Sequence, residues 1–87
     1  MKYEWDEDKR LSNIAKHNID FVDVVWFDWE TAKISEDKRK SYGETRFICY
    51  GLIHGRLMVL CFTMRADNMR IISLRKANQR EVEYYGN

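Results

Sequence analysis

Two apolar-rich runs, residues 44–53 and 56–64, are separated only by His54-Gly55. A two-residue connection of this kind makes a tight hairpin, and its length sets the register of the flanking strands. Ile53 then faces Arg56, Gly51 faces Met58 and Cys49 faces Leu60, so Cys49 and Cys61 fall one step out of phase and point to opposite faces. No disulfide is expected between them. With no extracellular signal and no paired metal spacing, both read as reduced thiols packed in a sheet. Residues 57–62 are apolar on both faces, which predicts a central strand covered on both sides.

The hairpin is followed by the turn Ala66-Asp67-Asn68 and a third antiparallel strand from Met69, in which Ile71 and Ile72 are β-branched. That strand runs into a helix at a joint near Lys76, because Ala77, Gln79, Arg80, Glu81 and Glu83 are mostly good helix formers with no Gly or Pro among them. Before the hairpin, Asp6 precedes a helix through His17, where Leu11, Ile14 and Ala15 have the spacing of one buried stripe. Acidic residues open that helix and Lys16-His17 close it, as its dipole favours. Asn18 occupies the place of a left-handed cap. Asp20 caps a second, shorter helix through Phe21, Val22, Val24, Val25 and Phe27, with Trp26 and Trp29 helping to close the core. Residues 31–35 form a possible short strand, and residues 36–43 an exposed, charged loop ending in Gly43. The prediction is an α+β domain: two N-terminal helices, a small antiparallel sheet of three to four strands, and one C-terminal helix.

At 87 residues the chain suits one domain, 1–87, which buries only about 60% of the surface its unfolded chain exposes. A 45% hydrophobic content is enough for a packed core. No apolar run approaches the ~18 residues of a membrane span, and the N-terminus lacks the apolar core of a signal peptide, so a cytoplasmic location is expected. The net charge of +1 conceals an asymmetry: residues 1–45 carry 8 Lys+Arg against 11 Asp+Glu, and residues 46–87 carry 7 against 3. The second half is the candidate anion-binding half.

Gly-x-Ser-x-Gly, Gly-rich phosphate loops, Cys-x-x-Cys and His pairs at metal spacing are all lacking, so neither a metal site nor a cofactor is expected. His54 reads as a turn residue and His17 as the last turn of the first helix. There remain Arg46, Arg65, Arg70 and Arg75 at strand ends, with Lys76 and Arg80 at and beyond the joint. By strict alternation Arg70 and Arg75 point to opposite faces and meet only at the sheet's edges. Guanidinium suits a phosphodiester because it stays charged, binds phosphate oxygens in pairs and stabilises charge developing on phosphorus. RNA supplies its own nucleophile, the 2′-hydroxyl. The protein need only align it and move protons, for which Lys, Tyr, His or Glu would serve. Ala77, Glu81 and Tyr85 share one helical face, leaving Glu81 either to orient an arginine or to act as base.

Trp5-Asp6, Lys9, Asn13, Lys16-His17, Ile19 and Phe21, then Gly43-Glu44-x-Arg46, Thr63-x-Arg65 and Arg70-Ile71-Ile72-Ser73-x-Arg75-Lys76-Ala77 with Glu81 and Tyr85, together resemble the BrnT toxin family. The resemblance covers nearly the whole chain. It implies a compact RelE-like ribonuclease, the toxic half of a type II toxin–antitoxin pair, which cleaves RNA and stops translation. It also implies a BrnA-like ribbon-helix-helix antitoxin, with operator DNA bound only through the complex. By position, Arg65, Arg70 and Arg75 match the family's arginines, and His17 and Glu81 match further polar positions, making these five the catalytic candidates. Lys9, Lys16, Arg46, Lys76 and Arg80 are the substrate-binding candidates. Asn18 stands where the family usually has Gly. Leu74 stands where it often has Ala, a larger side chain that could narrow a groove.

Overall fold

The computed structural model describes residues 2–86. Its elements run β1 (Lys2–Trp5), α1 (Glu7–His17), a 3₁₀ helix (Phe21–Trp26), β2 (Lys33–Asp37), β3 (Arg46–Ile53), β4 (Arg56–Arg65), β5 (Asn68–Lys76) and α2 (Gln79–Gly86). The strands form one sheet in the order β1-β5-β4-β3-β2. The hairpin register is the predicted one, with Ile53 opposite Arg56, Gly51 opposite Met58 and Cys49 opposite Leu60. His54 and Gly55 both have positive φ, 49° and 79°, as the tight turn requires. Both cysteines are free. Cys49 is buried, and burial pushes its thiol up to about 12, where it is inert. β4 is the central strand, with Leu57, Met58, Val59, Leu60 and Phe62 all buried.

The sheet has five strands and is mixed, where three to four antiparallel ones are predicted. The additional strand, β1, pairs parallel with β5, Lys2 opposite Asn68 through Trp5 opposite Ile71. Four residues with two alternating aromatics carry little strand signal of their own, and their partner lies over sixty residues away. The short strand is displaced to Lys33–Asp37, so the charged loop gives up Glu36 and Asp37 to β2, and Asp37 is buried. The second helix is 3₁₀ rather than α, leaving two α-helices. Its side-chain cap is the predicted one, Asp20 Oδ1 accepting from the Val22 N–H at 3.1 Å. β-branched Val22, Val24 and Val25 disfavour a longer α-helix.

The core lies on one face of the sheet, here called the inner face, where Phe21, Val24 and Phe27 meet Cys49, Leu60, Ile71 and Leu74. The tip of the Phe27 ring presses against Gly51, where an added Cβ would overlap it. Trp29 packs against this core, but Trp26 does not close it: it is 61% exposed, with its ring tilted against His54 at 5.5 Å between centroids. A six-residue 3₁₀ helix has too few inward positions for all its apolar side chains.

α1 also departs from the predicted stripe. Leu11 is 53% exposed and Ala15 is exposed, while Asn13 is its buried residue. β1 ends opposite Ile71, and α1 continues alongside the part of β5 that β1 does not reach. There Asn13 substitutes for a neighbouring strand. Its Nδ2 donates to the Leu74 carbonyl at 2.7 Å and its Oδ1 accepts from the Leu74 N–H at 3.2 Å. The same Nδ2 also donates to the Ile19 carbonyl. Asp6 caps the helix start and Asn18, with φ 58° and ψ 32°, closes its end in the left-handed conformation.

Each orphaned buried backbone group costs about 1–3 kcal/mol. Asn13→Ala is therefore expected to lower the unfolding free energy by at least about 2 kcal/mol in urea titration, whereas Leu11→Ala changes it by about 0.5 kcal/mol or less.

Candidate functional site

A one-residue irregularity in β5 decides which side chains share the outer face. Cys61 lies opposite Ser73 and Phe62 opposite Ile71, so Ile72 is a bulge with no partner on β4. Ile71 and Leu74, three residues apart, therefore both enter the core. On the other side, Arg70, Ser73 and Arg75 share a face. This corrects the strict alternation that sets Arg70 and Arg75 apart. It also removes Leu74 from any groove, since that side chain is fully buried on the inner face.

Cross-strand register arranges the outer face in rows, because residues directly opposite one another point the same way. One row reads Asp37, Arg46, Thr63, Arg70, Glu4 across all five strands. Arg46 and Arg70 stand two strands apart in it, about 10 Å at the backbone. A second row reads Lys33, Tyr50, Val59, Arg75. It lies four β4 residues away, about 13 Å. Arg65, opposite Asn68, ends the face beyond the first row. Lys76 does not join them, for its partner is Met58 on the inner side. Arg80 is exposed in the first turn of α2.

Each arginine with a row position is held by a carboxylate. Arg70 Nη1 donates to Glu4 Oε2 at 2.7 Å, and Asn68 Nδ2 donates to the other oxygen at 3.0 Å. These bonds hold the Glu4 carboxyl below its ordinary range. Arg75 donates to both oxygens of Glu81, each at 2.8 Å. Glu81 also closes a capping box with Asn78: the Asn78 N–H donates to Glu81 Oε1, and the Glu81 N–H donates to Asn78 Oδ1, both at 2.9 Å. Arg75 above all, with Asn78 adding, depresses the Glu81 carboxyl. Of the two roles open to Glu81, this geometry is that of a clamp on Arg75, since a base so depressed and so fully bonded has little affinity for a proton. Arg46 donates to Glu44 at 3.1 Å and lies 4.0 Å from the centre of the Tyr42 ring. Tyr42 donates to Asp37, whose carboxylate also accepts from Arg39 Nε and Nη2, each at 2.9 Å. Arg39 chiefly, through its side chain and N–H, and then Tyr42 hold the Asp37 carboxyl far below the usual range.

α2 crosses one end of this face. Tyr84 packs on Tyr50 with ring centroids 5.4 Å apart, and the Tyr85 hydroxyl donates to the Thr31 carbonyl at 2.9 Å. At the sheet's open edge, a cleft of about 230 Å³ separates α1 from β5. It is lined by Lys9, Ser12, Asn13, Lys16, His17 and the bulge pair Ile72-Ser73. Lys9, Asn13, Lys16 and His17 recur at helical spacing along one stripe of α1. Among the described residues, Lys9, Lys16 and Arg65 are in no ion pair. Ser73 connects the two regions, since it belongs to the outer face and also lines the cleft. Sequence reasoning missed Ser12 and Glu4. Neither has a local signal, because each is placed by contact with β5.

A sheet face rowed with arginines beside a cationic cleft belongs to a protein that handles polyanions. A family model described as the ribonuclease toxin, BrnT, of type II toxin–antitoxin systems matches residues 5–81, and the chain belongs to that family. The match takes in the cleft and every arginine of the outer face. A comparison with curated proteins finds no match.

The lowered Glu81 carboxyl has a pH signature. Its contribution to stability is present above its ordinary value of 4.5 and is lost as pH falls through the lower value of the folded state. Urea titrations at pH 5 and pH 3 are expected to show a smaller acid-induced loss for Glu81→Gln than for the unsubstituted protein.

Proposed function

We propose that this chain is a metal-independent endoribonuclease toxin of RelE-like fold, acting in the cytoplasm as one 1–87 domain. It stops translation by cleaving RNA, and a BrnA-like ribbon-helix-helix antitoxin neutralises it, with operator DNA engaged only by the complex. The observation that carries this reading is the bulge at Ile72. It turns Arg70 and Arg75 to the same face and sets Ser73 at the meeting point of that face with the Lys9–Lys16–His17 cleft.

In this mechanism the RNA backbone lies along the outer face. Arg65, Arg70 and Arg75 bind and neutralise phosphates, Arg46, Lys9 and Lys16 extend the track, and Arg80 lies beyond it on α2. Lys76 would reach RNA only around the edge of the sheet. The 2′-oxygen attacks the adjacent phosphorus in line and loses its proton to a base. The bond from phosphorus to the 5′-oxygen breaks, and that oxygen takes up a proton. The products are a 2′,3′-cyclic phosphate and a 5′-hydroxyl, with no outside reactant. His17, or Lys16 beside it, is the proton-transfer group, because both stand unclamped on the cleft wall while Glu81 is committed to Arg75. Glu81 thus acts through the arginine it positions.

A second reading, a non-catalytic antitoxin partner or operator co-repressor, is favoured by one observation: Arg46, Arg70 and Arg75 are each already neutralised by a carboxylate. RNA would have to compete with Glu44, Glu4 and Glu81 for them.

Cleavage of RNA by the purified chain is expected to persist in EDTA and to leave cyclic-phosphate ends. Arg65→Ala with Arg75→Ala should reduce it at least about 100-fold, on the scale of lost transition-state donors, with folding and antitoxin binding kept. His17→Ala should lower kcat by about 10²-fold or more. Induction without antitoxin that produces no RNA decay would favour the second reading.

A further inference from the structure

On the inner face, beyond the reach of the 3₁₀ helix, a cleft of about 440 Å³ is lined by Tyr3, Trp29, Ile34, Phe62, Met64 and Met69. None of these side chains is charged. The polar atoms of its wall satisfy each other, Trp29 Nε1 donating to the Tyr3 hydroxyl at 2.9 Å. Ile34 is 53% exposed and Met64 41%, both beside the buried Phe62 and Met69. A concave apolar cleft of this volume is the kind of surface that a ligand or a partner's side chains can fill.

Two carboxylates adjoin the strand segments that line the cleft. Glu36 shares the inner face with Ile34 by alternation and lies opposite Phe47, whose ring stacks on Phe62 with centroids 5.2 Å apart. Asp67 sits in the turn that closes the Met64–Met69 pair. Among the described residues neither carboxylate is in an ion pair. RNA is disfavoured by the lack of any cation in the lining. A second copy of the chain fits poorly, because its exposed apolar helix positions come with carboxylates of their own: Asp8 one turn before Leu11, and Glu83 beside Val82. An added strand fits poorly too, since the floor presents side chains rather than free backbone groups.

We propose that this cleft is the docking site of the antitoxin, and that it takes an amphipathic helix with apolar anchors at i, i+3/i+4 and i+7 flanked by Lys or Arg. The inference rests on the chain's membership of a toxin–antitoxin family and adds the surface and the chemistry of the segment it receives. Helix-in-groove recognition uses anchors of this spacing, and basic flanks complement Glu36 and Asp67. The cleft opens on the inner face and the arginines on the outer one, so antitoxin affinity and RNA cleavage are separable by substitution.

The test uses the full chain and a purified cognate antitoxin. Ile34→Asp with Met64→Asp, both at exposed positions, is expected to weaken binding at least 100-fold by calorimetry while RNA cleavage stays within threefold. Leu11→Asp with Val25→Asp, at exposed apolar positions away from the cleft, should leave both within threefold. In the unsubstituted chain, antitoxin should shift the Met64 and Met69 methyl resonances more than that of Met58, a readout independent of whether the variants fold. Antitoxin binding by the Ile34/Met64 variant within threefold of normal, or a loss seen only in the Leu11/Val25 variant, overturns the proposal. Normal docking behaviour in a chain that cleaves no RNA would overturn the ribonuclease reading alone.

Discussion

The carboxamide of Asn13 is the contact on which the architecture turns. β5 has β4 along one side, but along the other β1 reaches only to Ile71. Without a partner, the Leu74 N–H and C=O would be buried and unpaired, which interiors avoid because each such group forfeits its hydrogen bonds to water. Asn13 meets both with one amide. That requirement holds α1 beside the sheet edge, keeps Leu11 outside, and leaves a cleft between the helix and the bulge where Lys9, Lys16 and His17 face Ser73.

The bulge and the amide act together to separate the chemistry of the two faces. One extra residue in β5 sends Leu74 inward with Ile71 and turns Arg70, Ser73 and Arg75 outward together. The inner face is apolar, part of it packed under the 3₁₀ helix and part left open. The outer face carries the arginines. A protein of this size has few surfaces to divide between a nucleic acid and a protein partner, and two sides of one sheet can serve both.

Three arginines of the outer face, Arg46, Arg70 and Arg75, are neither free nor converged on one pocket. Glu4, Glu44 and Glu81 hold them in place at distances between 2.7 and 3.1 Å. Clamping of this kind fixes guanidinium geometry ahead of binding and lowers the positive potential the sheet presents in the free state. Lys9, Lys16 and Arg65, which among the described residues are in no ion pair, lie around the edge of that array, where an incoming polyanion would meet them.

Much was legible from local pattern. The hairpin register, the central strand, the Asn18 cap, the Asp20 cap and the strand-to-helix joint each depend on residues a few positions apart, and each appears as read. The family was legible as well, because its motifs lie along most of the chain. Long-range contacts were not legible. β1 is too short to announce itself and forms only against a strand sixty residues on. Leu11 has the spacing of a core residue, but α1 lies at an edge where an amide is needed more than a leucine. Ile71-Ile72 gives no sign of which isoleucine is the extra one, so the shared face of Arg70 and Arg75 was hidden. The sequence by itself determined the elements and their chemistry, through turn geometry, capping and hydrophobic period. Only the tertiary structure decided which side chains share a surface, because a single unpaired residue reverses every later position in a strand, and its location depends on how distant segments pack.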